Sequence, residues 1–140
     1  MIAVSVFKEY TEISFSSAAI QRTAEYVCRS EGVKIAELSF VIVDDGTMRA
    51  MNKKFLNHNY ITDVITFPLE QKGVNAEIYI DAQQAKRQAK EQAVTVKNEM
   101  MRLVVHGTLH AIGYRDTTKG SKKRMDSIQE RYVSELNVKK

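Results

Sequence analysis

The chain has 140 residues, 44% hydrophobic and 27% charged, with 21 Lys and Arg against 17 Asp and Glu for a net charge of +4. That length suits a single domain over residues 1–140 that buries a real core, and the lone cysteine, Cys28, excludes an internal disulfide. No apolar run approaches the roughly 18 residues of a membrane span, and Met1–Phe7 lacks the basic region and cleavage site of a signal peptide, so a cytoplasmic protein without a membrane partner is expected.

Residues 2–7 alternate enough to predict a strand. Ser16 or Ser17 is the expected cap of a helix running to about Ser30, with Ile20, Ala24, Val27 and Cys28 on one face; Gly32 ends it. Leu38–Val43, apolar and β-branched, reads as a second strand stopped by Asp44-Asp45-Gly46. Asp45 or Thr47 is expected to cap a short helix through Phe55, with Met48, Met51 and Phe55 facing inward. Asp63–Phe67, closed by Pro68, and Ala76–Ile80 are strands three and four, and their spacing makes them antiparallel neighbours.

Asp81 caps an alanine- and charge-rich helix to about Ala93, and Thr95 opens another with Met101, Val104, Val105 and Leu109 apolar. A last helix is expected over about 118–136, its inner face carrying Met125, Ile128, Tyr132, Val133 and Leu136. The order predicts an α+β fold in which a single mixed four-stranded sheet packs against about five helices.

The densest chemistry lies in Val105-His106-Gly107-Thr108-Leu109-His110-Ala111-Ile112-Gly113-Tyr114-Arg115-Asp116. His106 and His110 are four apart, so on a helix they are offset by about 40° and about 6 Å along the axis, on one face. Two imidazoles so placed can hold one Zn²⁺, whose Zn–N bonds are about 2.0–2.1 Å. Gly113 ends the helix by turning the chain back, and Asp116 can then bring a carboxylate to the same point. The spacing is that of the metzincin zinc proteases, so the helix is zincin-like. Those proteases carry Glu, their general base, where this chain has Gly107, and His where it has Asp116.

Charge is unevenly spread. Lys86, Arg87 and Lys90 share one predicted helix, and Lys119, Lys122, Lys123 and Arg124 follow the metal motif directly. Such faces suit phosphate contacts, which points to a nucleic-acid partner.

At the metal helix and the third strand the chain resembles the YbeY family, bacterial metal-dependent endoribonucleases of ribosomal RNA maturation. The family's His-Gly-x-Leu-His-Leu-x-Gly-Tyr-Asp-His is matched by His106 through Asp116, and its Pro-Thr-Asp-Val-Leu-Ser-Phe-Pro by Ile61-Thr62-Asp63-Val64-Ile65-Thr66-Phe67-Pro68. Its Gly-Asp-Ile-x-Ile strand is matched loosely by Ala76-Glu77-Ile78-Tyr79-Ile80. The resemblance spans nearly the whole chain.

It implies a single-strand endoribonuclease acting in small-subunit ribosomal RNA maturation and ribosome quality control. It further implies one zinc per chain on His106, His110 and Asp116, and ribosomal RNA and the ribosome or its proteins as partners. Thr62, Asp63 and Thr66 would support the cleft, Asp63 as an outer partner to a ligand histidine, while Arg115, Lys119, Lys122, Lys123 and Arg124 would position RNA. Asp63 and Glu77 are candidates for the general base on residue type alone.

Two departures stand out. Asp116 replaces the family's third histidine, and Leu56 replaces an arginine of its Phe-Arg-Gly-Lys-Asp loop, where His58 offers a substitute phosphate or proton partner. Two other readings compete: a zinc hydrolase of peptides or amides, which Gly107 disfavours, and a non-enzymatic, metal-stabilised module docking on the ribosome.

Overall fold

The computed structural model describes residues 1–13, 15–57, 62–69 and 73–138. Among them the elements run β1 (Ile2–Lys8), α1 (Ser17–Ser30), β2 (Ala36–Val43), α2 (Asp45–Leu56), β3 (Val64–Pro68), β4 (Val74–Asp81), α3 (Ala82–Glu91), α4 (Val96–Ile112) and α5 (Lys119–Val138). The expected α+β architecture is the observed one. The sheet order is β1-β2-β4-β3, with β1, β2 and β4 parallel and β3 antiparallel to β4, Val64 lying opposite Ile80 and Pro68 opposite Ala76.

Residues alternate across the strands, so each sheet face has its own set. Leu38, Phe40 and Ile42 of β2 and Ala76, Ile78 and Ile80 of β4 face the main core, which α1, α4 and α5 fill with residues such as Ile20, Leu109 and Met125. Cys28 is buried there, as expected, and burial pushes its thiol up to about 11, far from a reactive thiolate. The opposite face carries a smaller cluster of Val41, Val43, Met48 and Ile65, edged by Phe67 and Tyr79. Met48 fills that cluster alone from α2. Phe55, expected inward, is 56% exposed and rests edge-on against Phe67 at the cluster's margin.

The caps follow the sequence with one shift. Ser16 Oγ accepts from the Ala19 amide, Thr95 Oγ1 from Asn98, and Asp81 from Gln83 and Gln84. For α2 the cap is Asp44, which accepts from the Thr47 amide at 2.8 Å; Asp45 instead forms a two-pronged ion pair with Arg87. Arg87 is thereby withdrawn from the basic cluster expected on α3. That helix stops at Glu91 rather than 93 because Ala93 adopts a left-handed backbone, φ 55°.

Helix α4 is the hub, packing against α1, α3, α5, β3 and β4. Gly107 permits this closeness: a Cβ there would lie 2.6 Å from Ile78 Cγ2 and 3.4 Å from Val64 Cγ2. Ile78 is fully buried and β-branched, so it cannot swing away. Gly107→Ala should therefore lower stability by roughly 1–2 kcal/mol, because so close an approach puts overpacking at the upper end of its range, about 2–3 kcal/mol, against alanine's helix propensity of about 1. Thermal melts should show a drop of roughly 3–10 °C; an unchanged or raised midpoint would show that the sheet yields.

Candidate metal centre

Helix α4 carries His106 and His110 out of the core near its C-terminal end, half-buried on one face. Gly113 ends the helix at φ 127°, a backbone closed to most side chains, and its amide closes on the Leu109 and His110 carbonyls. The chain reverses, and Asp116 returns to the imidazoles. His106 Nε2 and His110 Nε2 are 3.1 Å apart; Asp116 Oδ2 lies 3.3 Å from His110 Nε2 and 3.9 Å from His106 Nε2. Ligand atoms in a tetrahedral zinc site stand about 3.3–3.4 Å from one another, given bonds of about 2.0–2.1 Å. The three atoms span that value.

The tautomers sharpen the point. His106 Nδ1 lies 2.7 Å from Gln129 Oε1, and His110 Nδ1 lies 3.0 Å from the Tyr114 carbonyl. Both partners only accept, so each Nδ1 carries the proton and each neutral Nε2 keeps its lone pair. Two lone pairs and a carboxylate oxygen then face one another, and a cation among them relieves the repulsion. The residues present fit a zinc ion. Among the described residues this is also the one group of three His, Cys, Asp or Glu side chains close enough to share a metal.

Gln129 and Glu31 belong to this architecture and escaped the sequence reading. Gln129 is 8% exposed on the otherwise apolar inner stripe of α5, and a lone amide in such a stripe is the signal for it. Its own amide nitrogen donates to Glu130, which fixes Oε1 toward His106. Glu31 sits at the C-terminal end of α1, where the helix dipole disfavours an acid. There it accepts from Tyr114 Oη at 2.6 Å and from Tyr132 Oη, tying the metal loop to α1 and α5. Burial and the bond to Glu31 push the Tyr132 hydroxyl up to about 12, so both phenols stay donors.

These outer contacts correct one expectation: Asp63 is not the partner of a ligand histidine, because Gln129 and the Tyr114 carbonyl hold both Nδ1 atoms. Gln129→Leu should lower zinc affinity about 10- to 100-fold, as loss of an outer-shell partner does. Competition with a chromogenic chelator measures this, and unchanged affinity would show that His106 is oriented by packing alone.

The site opens on a cleft of about 880 Å³ between β3 and the loop after α4, walled by Leu56, Thr62, Val64 and Thr66 on one side and by His110, Tyr114, Arg115 and Asp116 on the other. Thr66 Oγ1 donates to the Gly107 carbonyl at 3.4 Å, linking β3 to the metal helix. Arg115 is the only Lys or Arg lining the cleft among the described residues. Asp63 lies in a separate polar groove, shared with His106, Lys122 and Gln129.

Arg124 stacks over the Tyr114 ring at 6.0 Å, Lys122 pairs with Asp126 at 3.0 Å, and Lys119 and Lys123 are exposed on α5. Glu77 is excluded as a base: it projects from the sheet face opposite α4 and accepts from Tyr79. His58 lies outside the described residues.

Comparison with known proteins agrees with this geometry. The family model described as Endoribonuclease YbeY matches residues 5–137. An "Endoribonuclease YbeY" of Cytophaga hutchinsonii is 36% identical over 131 residues, covering 91% of this chain and 92% of the relative. Another, from Salinibacter ruber, is 27% identical over 141 residues, covering 94% and 90%. The solution structure of TM1509 from Thermotoga maritima superposes with a TM-score of 0.71 at 26% identity, covering 95% of this chain and 88% of that one.

Proposed function

The chain belongs to the YbeY endoribonuclease family, and from that premise we propose that it is a zinc-dependent endoribonuclease cutting single-stranded ribosomal RNA in the cytoplasm, in association with the ribosome. The observation that carries the reading is the convergence of three acceptor atoms at the wall of a cleft whose one Lys or Arg among the described lining residues is Arg115. His106, His110 and Asp116 would hold the metal. When bound, it supplies Lewis acidity to a phosphoryl group and acidifies water.

The protein's own side chains supply position. Arg115 presents a planar guanidinium that matches a phosphate oxygen pair. It does so where Leu56, across the cleft, offers only an apolar wall. Thr62, just before β3, provides a hydroxyl for the sugar-phosphate chain, while Thr66 ties β3 to the metal helix. With Glu77 on the far face, Asp63, which lines the neighbouring polar groove together with His106, is the remaining candidate for proton acceptor. Arg124, Lys119, Lys122 and Lys123 extend the positive surface beyond the cleft along α5. No helix among the described residues is long and apolar enough to cross a membrane.

The peptidase alternative fails at position 107, which is pressed against Ile78 and has no room for a carboxylate base. The test offers zinc-loaded protein single-stranded RNA and casein side by side, with His106→Ala as control. RNA cleavage that His106→Ala abolishes is expected; metal-dependent casein cleavage without RNA turnover would overturn the reading. RNA affinity should also fall steeply with salt. The Lys122→Glu/Lys123→Glu/Arg124→Glu variant should bind RNA more weakly with its metal content unchanged.

A further inference from the structure

Among the described residues, the most exposed aromatic ring near the cleft belongs to Phe55, 56% accessible on the last turn of α2. Asn52, one turn back on the same side of the helix, and Leu56, the next residue in the chain, both line the cleft, so the ring stands beside it at the rim. It is held rather than loose. Phe55 meets Phe67 edge-on at 5.6 Å, and Phe67 meets Tyr79 edge-on at 5.8 Å. The ladder holds the Phe55 ring in place while more than half of the residue stays open to solvent.

The surroundings are cationic. Lys54 Nζ lies 5.2 Å from the ring centroid, and Arg49, Lys53 and Lys54 are all exposed on α2, with no carboxylate between Gly46 and Asn57. A protein core or an acidic peptide alone does not call for this pairing. An apolar π-face flanked by ammonium groups matches a flat base attached to a phosphate.

We propose that Phe55 is a stacking platform for one base of the single-stranded RNA leaving the cleft, with Arg49, Lys53 and Lys54 neutralising the phosphates on either side. The inference rests on the RNA reading above and deepens it. Stacking demands an unpaired base, so the platform selects single strands over duplex without reading sequence.

The chain contains no tryptophan, so Phe55→Trp places a single fluorescent reporter at the platform. Titrating the zinc-loaded variant with a single-stranded RNA oligomer should quench that fluorescence. An abasic ribose-phosphate oligomer of equal length should not. In parallel, Phe55→Leu should weaken RNA binding about tenfold, within the range that loss of one stacked base implies. Its affinity for the abasic oligomer and its metal content should stay at wild-type values, and Phe55→Tyr should retain RNA affinity.

Wild-type RNA affinity in a folded Phe55→Leu, or equal loss toward both oligomers, would overturn the platform while leaving the RNA reading intact. Failure of the wild-type protein itself to bind RNA would overturn both.

Discussion

Purified protein is expected to carry about one zinc per chain, and the His106→Ala/His110→Ala double variant essentially none. The structure makes this the largest effect available from two side chains. Both Nε2 atoms converge with Asp116 Oδ2, and both Nδ1 protons are already committed to Gln129 and the Tyr114 carbonyl. Removing both imidazoles leaves one exposed carboxylate, which cannot hold zinc on its own. RNA cleavage should fall with the metal, by about 10³-fold or more, since Lewis-acid stabilisation is worth several kcal/mol and each 1.4 kcal/mol or so is tenfold. The variant should still fold, because the core of Ile20, Phe40, Ile78 and Leu109 does not depend on the site. Unchanged zinc stoichiometry would refute the site. Full RNA turnover in a zinc-free variant would refute its catalytic use.

What was legible in the sequence is what is covalently close. His106, His110, Gly113 and Asp116 lie within one helix and its reversal, so residue spacing alone places them together. The sheet's hairpin and the caps at Ser16, Asp81 and Thr95 are legible for the same reason: each rests on residues a few positions apart. The misreadings have long-range causes. Glu77 and Ile78 are adjacent in sequence but on opposite sheet faces, so residue type alone made Glu77 a candidate that geometry removes. Phe55 has the spacing of a buried residue. Yet the second sheet face offers only the small cluster that Met48 already fills, and the ring stays at its margin.

Gln129 reaches His106 across 23 residues of sequence and Glu31 reaches Tyr114 across 83. Only the packing of α5 and α1 against α4 makes those bonds. The single local hint was a polar residue inside an apolar stripe.

Asp116→His and Asp116→Ala should move the site in opposite directions. Two neutral imidazoles and a carboxylate give a zinc site a net charge of +1, whereas three imidazoles give +2. An all-nitrogen set suits zinc well, and the loop that carries Asp116 is exposed and leaves space for a larger ring. Asp116→His should therefore keep or raise zinc affinity. Because the more positive site acidifies water more strongly, its pH–rate profile should rise at lower pH than that of the wild type. Asp116→Ala deletes one of three donors and should weaken zinc by at least about a hundredfold, beyond the 10- to 100-fold typical of losing an outer-shell partner. Chelator competition on the three proteins, with pH–rate profiles for those that hold zinc, separates the possibilities. Full affinity in Asp116→Ala would mean that the third donor lies elsewhere. A profile for Asp116→His that does not shift, at undiminished affinity, would mean that the carboxylate's charge does not set the acidity on which cleavage depends.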